Sequence, residues 1–152
     1  MHSRLVKLAL PLALGLAAGV TTAIVSAVGI ASLLGASRET LLSLAPKSVT
    51  APVAMGISER IGGLPSLTAV LVIVTGMVGA ICARPILNAL RIRSDATAGF
   101  ALGLAAHGIG TARAFQISEE KGAFAGLAMG LTALATALIA PWLVPWLVGL
   151  LA

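Results

Sequence analysis

Long uncharged apolar runs alternate along the chain with short stretches where prolines, glycines and polar residues gather. Residues 8–35 carry no charge and predict a first membrane helix. At about 1.5 Å per residue this run exceeds a hydrocarbon core of about 30 Å. The helix is therefore expected to tilt or to begin outside the core. Pro11 suits a helix start, and Gly15 and Gly19 form a small pair suited to close packing on another helix. Residues 64–90 predict a second span, uncharged from 64 to 83 and thinned at Gly76 and Gly79. Residues 122–140 predict a third, again with two glycines four apart, Gly126 and Gly130. Pro141 and Pro145 are expected to break it, with Trp142 and Trp146 beside them as an interfacial belt.

Two weaker segments lie between these spans. Residues 41–45 form a short apolar half-element, followed by Pro46-Lys47-Ser48-Val49-Thr50-Ala51-Pro52. Pro46 and Pro52 prevent a regular helix from running through this stretch. Residues 53–61 predict a second half-helix that stops at Gly62-Gly63. Ser48 or Thr50 suits its N-cap and Pro52 its first turn. Its free N–H groups would favour an anion at the break. The second weak segment, residues 96–112, is rich in small residues. Its break is expected at His107-Gly108-Ile109-Gly110-Thr111, where Gly108 and Gly110 lower helix stability. The fold class is all-α: a polytopic membrane protein with three full transmembrane helices alternating with two broken or re-entrant segments. Residues 1–152 form one such domain, or one half of an inverted repeat.

Composition agrees. The chain is 59% hydrophobic and 10% charged, against about 25% charged in soluble domains. The lipid bilayer is its first partner. The N-terminal apolar run is too long for a cleaved signal peptide and reads as a retained span. The net charge of +5 lies between apolar runs with no interleaved aromatics, so nucleic acid is not expected. Cys82 stands alone, His2 and His107 are scattered, and no metal or cofactor motif occurs. H-E-x-x-H, G-x-S-x-G and phosphate-loop motifs are absent, so no enzyme is expected.

Charge also bears on topology. If both broken segments cross the membrane, Arg4 and Lys7 oppose Arg84, Arg91 and Arg93. If both turn back, these five cations share one face, and Arg38-Glu39 and Glu59-Arg60 lie on the other. The second arrangement obeys the positive-inside rule better. It also points two broken tips at the midplane from opposite sides, as in many transporters with inverted repeats.

The broken stretches carry a resemblance. Residues 46–54, then Ile61-Gly62-Gly63-Leu64-Pro65, look like the signature of the LrgB/CidB family. Ala106-His107-Gly108-Ile109-Gly110-Thr111-Ala112-Arg113-Ala114 adds a second block, and Gly122-Ala123-Phe124 through Leu127-Ala128-Met129 a third. Family members often carry hydroxyl residues where Ala51, Ala106 and Ala125 stand. They are also longer, so this chain resembles their C-terminal part. The resemblance implies a bacterial inner-membrane protein, antiholin-like, that affects murein hydrolase activity and autolysis with a holin-like partner of the LrgA/CidA type. Relatives that move glycolate, glycerate or pyruvate imply a transporter of small carboxylates. A homo-oligomer is also expected.

Each candidate has two readings. Lys47 either neutralises a carboxylate near the midplane or snorkels to an interface. Ser48 and Thr50 bind substrate or cap a helix. His107 carries a proton or packs as a neutral, hydrogen-bonded side chain. Thr111 binds substrate or caps the second half-helix. Arg113 clamps a carboxylate in bidentate fashion or anchors at an interface. Glu59 pairs with Arg60 at an exposed position or lies at a cavity mouth.

Overall fold

The computed structural model describes the backbone of residues 2–151 and the side chains of residues 9–151. The side chains of Arg4 and Lys7 lie outside that range. Six helices follow one another: α1 (His2–Leu33), α2 (Arg38–Leu44), α3 (Ala51–Ile61), α4 (Pro65–Ala89), α5 (Asp95–Phe115) and α6 (Glu119–Leu151). No strand occurs among the described residues. Helices α1, α4 and α6 are each long and apolar enough to cross a membrane, matching the three uncharged runs.

Helix α6 corrects one expectation. It continues through Pro141 and Pro145 instead of breaking there. Each proline removes one backbone hydrogen bond, which a membrane helix tolerates when neighbours support it. Val144 and Val148, beyond the first proline, are buried in the cluster that also holds Val20, Ile24 and Val28 of α1. Packing of that stripe holds the last turns in line. Trp142 and Trp146 point outward, as a belt requires.

The first broken segment is a hairpin that turns back. Ser37 starts α2 early by accepting a hydrogen bond from the Thr40 N–H at 3.3 Å. At the other end of α2, Ser43 Oγ accepts from the Leu64 N–H at 2.7 Å. The Ser43 carbonyl accepts from Thr68 Oγ1 at 2.9 Å, and Thr68 Oγ1 pairs with Ser58 Oγ at 2.7 Å. The chain therefore leaves α2, makes the Pro46–Pro52 turn and the whole of α3, and returns to the place it left. Gly62, at φ 87°, ends α3 and makes this return possible. Thr68→Val would leave Ser58 and the Ser43 carbonyl unpaired in a buried site, which costs about 1–3 kcal/mol. The expected result is a lower melting temperature in detergent. An unchanged melting temperature would show that these bonds do not hold the hairpin base.

The second broken segment, α5, is a hairpin too. His107, at φ 41° and ψ −129°, reverses the chain inside it. Gly108 and Gly110 are helical, so the break sits on the histidine, one residue before the glycines expected to cause it. Gly110 serves the hairpin differently: a Cβ there would lie 2.6 Å from the Leu102 carbonyl oxygen, so only glycine lets the returning limb lie on the outgoing one. At the base, Ser118 Oγ donates to the Asp95 carboxylate and Lys121 Nζ lies 3.0 Å from it. The Ser118 bond, then Lys121, holds the Asp95 carboxyl below its ordinary range. This is the only ion pair among the described residues. Glu59 and Arg60 are exposed and unpaired, contrary to the expected pairing.

Both hairpins re-enter, and they do so from opposite faces. The first starts where α1 ends and α4 begins; the second starts where α4 ends and α6 begins. Arg84, Arg91, Arg93, Arg113 and Lys121 lie toward the second face, and Arg38 and Arg60 toward the first.

The matching hairpins expose an internal repeat. Ile57-Ser58-Glu59 and Gly62 recur 60 residues later as Ile117-Ser118-Glu119 and Gly122. The same offset pairs Leu42 with Leu102, Leu44 with Leu104, Ala45 with Ala105 and Ala54 with Ala114. It also pairs Lys47 with His107. Each unit is a hairpin followed by a span, and the two units run in opposite directions across the fold.

Candidate functional site

The tips of the two hairpins meet in the middle of the bundle. Ala45, Pro46 and Ser48 from the first tip line a small, largely closed cavity. Its other walls are Val20, Ala23 and Ile24 of α1, Leu104 of the second hairpin, and Thr132 and Thr136 of α6. The cavity has room for about one water molecule.

Lys47 stands at the first tip, half-buried. Its ammonium donates to Ser48 Oγ at 3.3 Å, and among the described residues no carboxylate lies within ion-pair distance. Thr50 occupies the N-cap of α3 by position, but its hydroxyl makes no capping bond. Pro52 lies in the first turn of α3 as expected. Pro46 and Pro52 thus bracket a non-helical tip in which the first N–H groups of α3 keep no side-chain partner.

His107 stands at the equivalent place on the second tip. It is buried, and its Nε2 lies 2.9 Å from the Val72 carbonyl of α4. A carbonyl only accepts, so Nε2 carries the proton. The imidazole fits because α4 has a glycine beneath it: a Cβ on Gly76 would lie 2.7 Å from the ring. Thr111 does not cap the second half-helix. Its Oγ1 donates back to the His107 carbonyl at 2.8 Å, four residues earlier.

Arg113 does not join this group. It is exposed, donates to Gln116 Oε1 at 2.8 Å, and lines a cavity of about 390 Å³ at the second face. Arg84, Asn88 and Lys121 line the same cavity. Arg113 is therefore a vestibule cation, separate from the tips. The sequence-predicted residues divide accordingly: Lys47, Ser48, Thr50, His107 and Thr111 belong to the two tips, and Arg113 to the vestibule.

Thr132 and Thr136 were not among the residues singled out from sequence. They interrupt an α6 stripe that is otherwise small or apolar: Ala125, Ala128, Ala140, Val144 and Val148. The signal that finds them is the repeat. Their equivalents in the first unit are Val72 and Gly76, the two residues that seat His107. Each tip thus packs on the span of the other unit.

Known proteins place this architecture. The model of the LrgB-like family matches residues 1–146. YwbG of Bacillus subtilis (strain 168) is 40% identical over 112 residues, 74% of this chain and 50% of its own length. YxaC of the same organism is 37% identical over 130 residues, 86% of this chain and 56% of its own. Holin-like protein CidB of Staphylococcus aureus (strain N315) is 36% identical over 100 residues, 66% of this chain and 44% of its own. The chain spans about half the length of the curated relatives it matches. No solved structure matches it. With a family match across nearly all of its sequence and three helices fit to span a bilayer, the chain is a membrane protein of the LrgB-like family.

Proposed function

We propose that this protein is a secondary transporter of small carboxylates, of the glycolate, glycerate or pyruvate type, in the bacterial inner membrane. The observation that carries the reading is Lys47. An ammonium at the meeting point of two re-entrant tips has no carboxylate partner. Insertion scales charge about 2.5–3.5 kcal/mol for a lysine at that depth. A transported anion supplies the missing counter-charge. The uncapped N-terminus of α3 adds donors of the same sign of preference. His107 offers an imidazole for coupling to a proton. Arg84 and Arg113 would draw anions into the vestibule. Two inverted units with discontinuous helices suit alternating access by rocking one against the other. The excess of cations toward the second face assigns that face to the cytoplasm.

A second reading has its own support: relatives named holin-like protein CidB and an outward apolar face on α4, with Val70, Ile73, Val74, Met77 and Ile81 exposed. On this reading the chain is an antiholin-like subunit that modulates murein hydrolases through a holin-like membrane partner. Flux of carboxylates would also affect autolysis indirectly.

The test is uptake of labelled glycolate and pyruvate into proteoliposomes, with the chain alone and with a holin-like partner. Saturable uptake is expected. No uptake in any combination, from protein shown to be folded, would overturn the transporter reading and leave the subunit reading standing.

A further inference from the structure

Thr132 Oγ1 is buried and has no hydrogen-bond partner, and its residue is 2% exposed. Leaving a hydroxyl in that state is unfavourable. Helical threonines usually escape it by donating to the carbonyl four residues back. Thr111 does so here. Thr132 does not; it lines the cavity at the first tip, with Thr136 one turn on and Ser48 across from it. Packing does not demand these hydroxyls, because the equivalent positions in the first unit are Val72 and Gly76. These two hydroxyls stand in the second unit only. They share a cavity with Ser48, whose Oγ accepts from the Lys47 ammonium at 3.3 Å.

We propose that Ser48, Thr132 and Thr136 form a neutral subsite for the oxygen carried on the carbon next to the carboxylate of the transported anion. This rests on the transporter reading and names the side chains that read the 2-oxygen of its glycolate-, glycerate- or pyruvate-type substrates. Lys47 takes the carboxylate, and its contact with Ser48 Oγ fixes the distance between the charged and neutral parts of the site. Hydroxyls donate and accept equally, which suits a hydroxyl or keto oxygen. A metal cation is a poor occupant, since no carboxylate is among the described residues that line the cavity and the Lys47 ammonium lies 3.3 Å from Ser48 Oγ. The space holds one oxygen-sized group.

Glycolate and acetate make the probe, because they differ only in the hydroxyl. Both are offered to proteoliposomes of the full chain, with the partner present if uptake requires it. Wild type is expected to favour glycolate by at least about tenfold. Thr132→Val should bring glycolate uptake down to the acetate level and leave acetate unchanged, and Thr132→Ser should keep the preference. The melting temperature of Thr132→Val should hold or rise, because an unpaired hydroxyl is removed. If Thr132→Val does not fold, Thr136→Val reads the same ratio. A preference that survives the valine change, or a parallel fall for both acids, overturns the subsite. Carboxylate uptake by wild type with no glycolate preference overturns the subsite alone. No uptake of either acid by folded wild type removes the transporter reading together with it.

Discussion

Lys47→Met is expected to reduce carboxylate uptake by about 100-fold or more while the protein folds as well as wild type. The magnitude follows from the site. Removing one partner of a desolvated, hydrogen-bonded charge pair costs about 3 kcal/mol or more, and each 1.4 kcal/mol is a factor of ten. The stability follows from the same site without its ligand. Among the described residues Lys47 has no carboxylate to lose, so methionine removes an ammonium without an ion-pair partner and relieves its desolvation. Lys47→Arg should fall between the two, since it keeps the charge and alters the donor geometry. Initial uptake rates, read beside melting temperatures in detergent, check all three forms. Full uptake by folded Lys47→Met would remove the carboxylate from this tip and favour the subunit reading.

The second large effect lies in packing. Gly103→Val is expected to abolish the folded state. The second hairpin lies so close to α6 that a Cβ on Gly103 would fall 2.0 Å from the Ala125 carbonyl oxygen, and one on Gly99 would fall 2.1 Å from that of Lys121. Both obstacles are backbone, so no side chain can swing aside. The two helices must separate, and forced overpacking of this kind costs about 1–3 kcal/mol even where neighbours can yield. Gly130→Ala is the control: nothing lies within 4 Å of its added carbon, and alanine is the better helix former. Monodisperse elution in detergent should survive Gly130→Ala and fail for Gly103→Val. A normal elution profile and melting curve for Gly103→Val would show that α5 and α6 do not pack as described.

That contrast shows where sequence was legible and where it was not. Spacing alone favoured the pairs Gly15/Gly19 and Gly126/Gly130. Gly19 does meet Leu104, yet Gly130 faces open space and the tightest contacts are at Gly99 and Gly103. A four-residue spacing says that two glycines share a helix face; it does not say which face a neighbour covers. Pro46 and Pro52 were legible because a proline acts on its own backbone, whatever surrounds it. Pro141 and Pro145 obey the same rule but are overridden by the buried stripe of Val144 and Val148, which is tertiary information. His107 was visible as a weak point, though the reversal falls on the histidine because Val72 and Gly76, 30 residues and more upstream, hold its ring. Thr132 and Thr136 lie inside an apolar run with no local mark. They become visible only when Ile117-Ser118-Glu119 is set against Ile57-Ser58-Glu59.

The repeating unit crosses the membrane once, because its hairpin returns to the face it came from and only the following helix goes through. An odd number of crossings reverses whatever is joined to its end. Plain head-to-tail duplication of one ancestral unit would therefore have produced an inverted pair in a single event. No ancestor able to insert in both orientations is needed, and neither is an extra linking helix. The same parity would make a third copy, added in tandem, point the way the first one does.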